Sequence, residues 1–228
     1  MKLKVNLRLR TAEKGARMTG KNYVITIARG FGSGGKEIAQ KLSDKLGIPW
    51  YERQILTMAS EQSGIAEALF HESDEKIKGK KLAKLIGQIP NPYVVQATSN
   101  KFTSEVNLFN IQAEIIRTLA KTESCIIVGK CANMILKDYD NVLSVYIEAP
   151  RAACVKSVVS KMGVTEKEAH RLIARTDKYR ADYYKYYTGG HYWTDPVAYD
   201  VTLNSDRIGR DKCVEVIGDL INIKLFNK

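Results

Sequence analysis

Short β-branched runs alternate with longer amphipathic stretches along most of the chain. The first run, YVITIA from Tyr23, predicts a buried strand, and Ile38, Leu42 and Leu46 then recur at helical spacing. A glycine-rich turn, RGFGSGG, separates the two stretches. The pattern therefore opens with a strand, a loop and a helix.

The same alternation continues towards the end of the chain. Further strands are predicted at IPWY, CIIVG, VLSVYI and AYDVTL. Further helices are predicted over residues 55–59, 106–119, 151–162 and 213–221, and a capping box of Thr165 and Glu168 starts another. Pro150 is expected in the first turn of the helix 151–162. Such alternation predicts an α/β fold in which helices flank a parallel sheet.

The pattern also divides the chain into a tail and one domain. Residues 1–22 are predicted to form a basic flexible tail, and residues 23–228 form the domain. Within the domain, residues 61–104 are polar and poor in strand signals, which predicts a helical insertion. That insertion contains a lysine-rich patch between Lys76 and Lys84 and a turn at IPNPY.

Charge is unevenly distributed along the 228 residues. Lysine and arginine number 36 against 25 aspartates and glutamates, for a net charge of +11, of which the tail holds +6. This excess favours polyanionic partners such as nucleotides, nucleic acids or acidic lipid surfaces. No apolar run approaches the roughly 18 residues of a membrane span, so we expect a cytoplasmic protein without a membrane partner.

The cysteines and histidines argue against two classes of chemistry. The four cysteines lie in or beside apolar segments without a CxxC pair, so they are expected to be reduced packing residues. The three histidines are isolated in the sequence. Neither a zinc cage nor a histidine-centred hydrolase has a local signature, and the sequence assigns no metal ligands.

The glycine-rich turn has the spacing of a phosphate loop. Gly30, Gly35 and Lys36 fit the pattern GxxxxGK between the first strand and the first helix, where such loops lie. Glycines let backbone amides converge on phosphate oxygens, and the lysine brings a charge to the terminal phosphates. The residues assigned to donor binding are Gly30, Gly32, Ser33, Gly34, Gly35, Lys36 and Glu37.

Glu37 departs from the phosphate-loop pattern. A serine or threonine usually follows the loop lysine and ligates magnesium through its hydroxyl. A carboxylate beside triphosphate oxygens is electrostatically unfavourable, unless it turns outward to cap the helix or holds the metal through water. The sequence leaves both arrangements open.

A second basic constellation, RTDKYRADYYKYY, spans residues 175–187. Arg171, Arg175 and Lys178 share one helical face, where like charges repel each other unless an anion lies among them. A transferring phosphoryl group is such an anion, because guanidinium groups must neutralise its charge from several sides. The candidate catalytic residues are Lys36, Arg175, Asp177 and Arg180, with Asp177 orienting Arg180 or contacting a substrate hydroxyl.

The same segment is rich in tyrosine. Seven of the twelve tyrosines lie between Tyr179 and Tyr199, and alternating aromatic and basic residues are typical of single-stranded nucleic-acid grooves. Tyrosines that pack on the body of a protein give the same pattern. With a phosphate loop elsewhere in the chain, we interpret residues 171–195 as a lid that clamps phosphate and Tyr184 as a substrate contact.

Charged residues also follow two other predicted strands. Glu52 and Arg53 follow IPWY, and Lys130 follows CIIVG. In a parallel sheet the carboxyl ends of the strands line the ligand crevice. These three residues are therefore candidate substrate contacts.

Together these segments resemble the cytidylate kinase-like family of P-loop nucleoside monophosphate kinases, over about residues 22–224. The matching stretches are ITIARGFGSGGKEIAQKLSDKLGIPWYERQIL, IIVGKCANMIL, RTDKYRADYYKYYTG and YDVTLNS, in the family's order. The resemblance implies a P-loop NTPase-type parallel sheet, a nucleotide-binding insertion and a mobile lid. It also implies that residues 30–36 hold the donor, that Arg53 lies near the acceptor phosphate and that Glu52 lies near magnesium.

One strand end departs from the family pattern. Cytidylate kinases resemble GRD there, whereas this chain has Gly129, Lys130 and Cys131. Replacing arginine by lysine loses bidentate phosphate geometry, and the acidic contact toward the cytosine is absent.

The sequence predicts a kinase that uses ATP and magnesium to phosphorylate a nucleoside monophosphate, with CMP or dCMP as the expected acceptor. A regulatory module that binds nucleotide without catalysis remains an alternative, suggested by Glu37 and Lys130. A nucleic-acid-binding protein is a second alternative, suggested by the basic tail and the tyrosines. Small nucleotides are the expected partners rather than nucleic acid, and the sequence gives no oligomeric state.

Overall fold

Five parallel strands form the central sheet in the computed structural model, which describes residues 22–75 and 103–226. The sheet order is β2-β3-β1-β4-β5. The strands are β1 Val24–Arg29, β2 Trp50–Tyr51, β3 Cys125–Val128, β4 Val142–Glu148 and β5 Val201–Asn204. All pairings are parallel, which confirms the predicted sheet.

The helices lie between the strands and after the last one. Those of the described residues are α1 Gly35–Leu46, α2 Gln54–Ser63, α3 Glu67–Glu75, α4 Glu105–Thr122, α5 Ala132–Ile135, α6 Arg151–Met162, α7 Glu166–Tyr187, α8 Ser205–Ile208 and α9 Arg210–Ile221. A π-helical turn, Asn222–Phe226, follows α9. The predicted capping box of Thr165 and Glu168 begins α7, so that prediction is confirmed.

Side chains of strand β1 pack on both faces of the sheet, and each face has its own hydrophobic core. Ile25 and Ile27 pack with helices α1 and α9 on one face. Val24 packs with α2 and α4 on the other face. Because both faces are covered, the strand is a continuous apolar run rather than an alternating one.

Strand β1 lies at the centre of the sheet, so the phosphate-loop segment that follows it lies between the ends of strands β3 and β4. Val24 pairs with Cys125 of β3 on one side and with Val142 of β4 on the other. The carboxyl ends of β1, β3 and β4 therefore open at the same edge of the sheet, where ligands of α/β proteins bind.

The start of the last strand and the position of Pro150 differ from the predictions. The strand predicted at AYDVTL begins only at Val201, because Pro196–Ala198 forms a 3₁₀ turn that Asp195 caps. Pro150 lies just before the first residue of α6 rather than within its first turn. The predicted tail, apart from Asn22, lies outside the described residues, as do the lysine-rich patch and the IPNPY turn of the predicted insertion.

The cysteines are packing residues, as predicted. Their thiols are free and buried at Cys125, Cys131, Cys154 and Cys213. Across residues 22–75 and 103–226, no helix combines the length and the apolar character that a membrane crossing requires.

Candidate active site

A cavity of about 1160 Å³ opens at the carboxyl ends of the strands. Every predicted site residue except Ser33 and Asp177 lines it, including those of the phosphate loop, the end of β2, the end of β3 and helix α7. The phosphate loop lies between β1 and α1 of a parallel sheet, so the predicted P-loop NTPase-type fold is confirmed.

The phosphate loop is shaped by glycines in left-handed backbone. Gly32 and Gly34 have φ angles of 90° and 86°, which other residues adopt only with strain. Ser33 turns inward and donates a hydrogen bond from Oγ to the carbonyl of Gly30 at 2.9 Å, so its side chain supports the loop instead of lining the cavity. In the part of the chain that the structure describes, no side chain caps the N-terminus of α1, which leaves that end for an anion.

Lys36 and Glu52 form the first ion pair of the site. Lys36 Nζ lies 3.2 Å from Glu52 Oε2 and 5.5 Å from the centroid of the Trp50 ring. Arg29 donates to the other oxygen of Glu52. Burial acts to raise the pKa of Glu52, but the charges of Arg29 and Lys36 outweigh it and the pKa is lowered. Glu52 is therefore an ionised bridge between two cations.

Asp177 and Arg180 connect helix α7 to the phosphate loop. The backbone N–H of Phe31 donates to Asp177 Oδ1 at 2.8 Å, and Arg180 donates from Nη1 to the carbonyl of Arg29 at 2.9 Å. Asp177 also lies 3.5 Å from Arg180, as the prediction that it orients this arginine requires. Burial raises the pKa of Asp177.

Arg180 and Arg29 bring two guanidinium groups close to each other. Burial, together with the charge of Arg29, lowers the pKa of Arg180 to about 10. Such a shift means that the cationic form is held unfavourably in the absence of a further anion. A phosphate group bound in the cavity would supply that anion.

The basic face predicted on α7 is only partly directed at the cavity. Arg175 is exposed at the cavity rim and makes no ion pair within the described residues. Lys178 also lines the cavity but pairs with Asp182 at 3.1 Å. Arg171 lies outside the cavity, in a shallow groove beside Glu168.

The tyrosines of the predicted lid are mostly buried. Tyr183, Tyr184 and Tyr187 pack in an aromatic cluster, where Tyr187 stacks on Phe109 with ring centroids 3.9 Å apart. These rings are not displayed on the surface for stacking on bases, whereas Tyr192 is exposed. Packing on the body of the protein therefore accounts for most of the tyrosine pattern.

The wall beyond the loop carries the other predicted substrate contacts. Arg53 is exposed at the start of α2, and Tyr184 accepts a hydrogen bond from Asn133 Nδ2 at 3.0 Å. Burial raises the pKa of Tyr184 to about 12, so its hydroxyl stays protonated near neutral pH. Lys130 and Cys131 have φ angles of 57° and 54°, which places two non-glycine residues in left-handed backbone.

Several residues of the site were missed by the sequence reasoning. Arg29 and Glu148 end strands β1 and β4, so the rule that strand ends line the crevice could have identified both. A side chain at Gly30 would overlap the Glu148 carboxylate, which accepts from Tyr146 Oη at 2.6 Å. Thr26 lines the floor of the cavity, and its buried hydroxyl has no hydrogen-bond partner among the described residues.

The carboxylates near the loop fit a magnesium ion that arrives with a triphosphate. Magnesium is commonly held by one or two carboxylates together with substrate phosphates and water. Glu52 offers such a carboxylate beside Lys36. No cluster of three potential His, Cys, Asp or Glu ligands occurs in the described part of the chain, so a metal cage built by protein alone has no basis there.

Comparison with known proteins gives matches over most of the chain. A model of the cytidylate kinase-like family matches residues 24–207. An uncharacterized protein from Eubacterium ventriosum ATCC 27560 is 25% identical with a TM-score of 0.65, over 88% of this chain and 99% of that one. TT1252 from Thermus thermophilus is 16% identical with a TM-score of 0.50, over 91% and 100% of the two chains.

A more distant likeness is to the shikimate kinase from Bacteroides thetaiotaomicron, which is 13% identical with a TM-score of 0.48, over 88% and 98% of the two chains. No protein with curated annotation matches the sequence. The match to TT1252 shows that the same fold extends over nearly the whole of both chains.

Proposed function

The chain belongs to the cytidylate kinase-like family, and on that premise we propose that it transfers the terminal phosphoryl group of ATP to a nucleoside monophosphate. CMP or dCMP is the acceptor that we expect. The observation that carries the proposal is that cations converge on the phosphate-loop cavity, and four of those that line it are assigned to the phosphates. They are Lys36, Arg29, Arg175 and Arg180.

The charge balance of these side chains supports a phosphate ligand. Glu52 contacts Arg29 and Lys36, and Asp177 contacts Arg180. Arg175 makes no ion pair within the described residues, so the four cations keep an excess of positive charge over these two carboxylates. Phosphoryl transfer is catalysed mainly by positioning and by neutralising charge on the moving group. An excess of cations around a glycine-rich loop is what such a reaction requires.

Each part of the loop would have a separate role in binding the donor. The backbone amides from Gly32 to Lys36 and the N-terminus of α1 would hold the phosphate chain. Lys36 would leave Glu52 to reach the terminal phosphate, since within the described residues its exposed ammonium is held by that pair and the Trp50 ring alone. A magnesium ion, held through Glu52, would neutralise phosphate charge when it is bound.

The transfer step would use the arginines. An oxygen of the acceptor phosphate would attack the γ-phosphorus, and the bond from that phosphorus to the bridging oxygen of ADP would break. Arg29 and Arg180 would stabilise the charge on the transferring group, while Arg175 would approach from the rim. Asp177 would keep Arg180 directed at the loop through the contacts it makes with Phe31 and Arg180.

The acceptor would lie against the wall formed by Cys131, Asn133, Tyr184 and Trp193. Position 131 holds a cysteine instead of an acidic residue, so it offers no carboxylate to accept a hydrogen bond from the cytosine base. A site rejects the wrong base strongly only when a buried polar group would be left unpaired. We therefore expect CMP and dCMP to be preferred over UMP by about tenfold or less.

The proposal is tested by measuring ADP formation from ATP with CMP, dCMP, UMP, AMP and no acceptor. The expected order is CMP and dCMP first, UMP within about tenfold, and little ADP without acceptor. Lys36→Ala should weaken ATP binding by about tenfold or more, because a charged contact to phosphate is lost. Lys45→Ala, on the exposed last turn of the same helix, is the matched control and should bind ATP as the wild type does.

Two results would contradict the proposal. ATP binding without ADP formation across the panel would favour a regulatory module that binds nucleotide without turning it over. If Lys36→Ala binds ATP as tightly as the wild type does, the assignment of residues 30–36 as a phosphate loop is wrong.

A further inference from the structure

Glu37, which stands where a loop hydroxyl is usual, is held by three cations. Its Oε2 lies 2.6 Å from Arg210 Nη1 and 2.9 Å from Lys161 Nζ, and its Oε1 lies 3.5 Å from Lys41 Nζ. Burial acts to raise the pKa of Glu37, but the hydrogen bond from Lys161 and the charge of Arg210 lower it. Glu37 is thus an ionised anchor for these cations, and its carboxylate pairs with them instead of capping α1.

The guanidinium of Arg210 lies directly against the phosphate loop. A side chain at Gly34 would overlap its Nε and Cζ atoms. Besides its bond to Glu37, the guanidinium donates from Nη2 to Ser157 Oγ at 3.1 Å. Arg210 therefore bridges the loop, helix α6 and the start of α9 at the point where the loop becomes a helix.

Within residues 22–75 and 103–226, these contacts leave some hydrogen-bond donors of Arg210 and Lys161 without a protein acceptor. A guanidinium carries five N–H donors. Two nitrogens of Arg210 donate to protein acceptors: Nη1 to Glu37 and Nη2 to Ser157. One carboxylate, Glu37, serves both Arg210 and Lys161, so the pair of cations keeps a positive charge. Lys161 lines the same cavity as the phosphate loop, as do Gly34, Glu37 and Ser157. Arg210 is not itself one of the lining residues, but its guanidinium contacts all three of those groups. Its remaining donors therefore lie beside the loop that is proposed to bind phosphate.

We propose that Glu37 is a positioning residue that holds Arg210 and Lys161 against the phosphate loop, where these two cations bind the phosphate chain of the donor nucleotide. This inference rests on the proposed function, because it requires the donor to bind at the loop. In loops with a serine or threonine, that hydroxyl helps to hold magnesium beside the phosphates. Here protein cations take over a share of that charge neutralisation.

Two consequences distinguish this role from a structural one. First, Arg210 and Lys161 contribute to ATP affinity, whereas Lys41, which points outward to Asp211 at 2.6 Å, does not. Second, ATP binding depends less on magnesium than it would with a metal-binding hydroxyl. A merely structural role for Arg210 would lower stability without changing either property.

The experiment is calorimetric titration of ATP, once with magnesium and once with a chelator, on the full chain. Arg210→Ala should weaken ATP binding by about tenfold in magnesium, the size expected for one charge-assisted hydrogen bond, and by more in chelator. Glu37→Gln should show a loss in the same direction, because the two cations lose their anchor. Lys41→Ala removes one positive charge from the same network and should stay within about twofold of the wild type.

The outcomes separate this inference from the proposed function. If Arg210→Ala binds ATP within about twofold of the wild type in both conditions, the inference is wrong while the kinase proposal stands. If the wild type binds no ATP, the proposed function is wrong. Should Arg210→Ala fail to fold, Lys161→Ala, on an exposed side chain, tests the same loss of affinity, and unchanged binding there also overturns the inference.

Discussion

Lys130 carries a backbone conformation that costs stability at the edge of the site. Its φ of 57° and that of Cys131, 54°, follow Gly129 at 79°, so three consecutive residues are left-handed. The left-handed region costs a non-glycine residue roughly 1–2 kcal/mol. Strain of this kind is retained where the surrounding structure needs the side chain in one place.

Lys130→Gly should therefore raise the free energy of unfolding by up to about 1 kcal/mol, because glycine adopts positive φ without strain. It should also slow ADP formation, because Lys130 lines the cavity and is a candidate contact for the acceptor. Urea denaturation measures the first effect. Lys156→Gly, in the middle of α6 and exposed, is the matched control and should lower stability by about 1 kcal/mol. A Lys130→Gly variant as destabilised as this control would contradict the strain argument.

At the scale of elements, an ion pair between Arg29 and Glu52 joins the carboxyl ends of strands β1 and β2, and its contribution to stability depends on pH. Glu52 has a lowered pKa in the folded protein because Arg29 and Lys36 outweigh the effect of burial. An acid with a depressed folded pKa contributes stability above its unfolded pKa, near 4.5, and loses it as the pH falls through the folded pKa.

The difference in melting temperature between the wild type and Glu52→Gln should therefore stay constant from neutral pH down to about 5 and shrink below about 4.5. Thermal melts across this range measure it. Glu61→Gln, on the exposed face of α2, makes no ion pair in the described chain and should parallel the wild type. A difference that does not change with pH would mean that the pair adds no stability.

The long helix α7 has two differently packed halves. Ala169 and Ile173 belong to a small cluster with Cys154, Val155 and Val158 of α6. The second half is fixed to the body by the buried tyrosines and by the bond from Phe31 to Asp177. We propose that the first half of α7 carries the movement of the predicted lid, residues 171–195, when nucleotide binds.

Hydrogen exchange should show this division. Amides of residues 166–175 should exchange faster than those of residues 179–187, because the smaller cluster opens at lower free energy. ATP should slow exchange in the first set more than in the second. Equal protection of both halves with and without ATP would contradict a lid of this extent.

The elements show which parts of the site a sequence can reveal. Each strand and most helices were predicted, because a strand buried on both faces must be an apolar run. The loop and Lys36 were equally visible through their spacing. Arg210 and Lys161 lie 173 and 124 residues from Glu37, and half-exposed charges leave no periodic signal. The tyrosines were ambiguous because an aromatic–basic pattern does not state which side of a helix is buried.

At the scale of the whole molecule, the positive charge is concentrated in residues 1–22, which hold +6 of the net +11. Deleting residues 1–21 should reduce retention on oligonucleotide resin while ADP formation stays unchanged, because the residues that line the cavity all lie after residue 25. A full-length variant with the tail lysines and arginines replaced by glutamine should behave as the deletion does. Retention that survives both changes would place a nucleic-acid surface on the domain instead.

The central place of β1 also has a consequence for how the chain is made. Its partners begin at Cys125 and Val142, about 100 residues later in the sequence. At roughly 5–20 residues per second, the ribosome delivers them some 5–20 s after β1. Until then both edges of an apolar strand are unpaired, and such edges promote association with other chains. We therefore expect nascent chains that end between β1 and β4 to be the form of this protein that chaperones bind most readily.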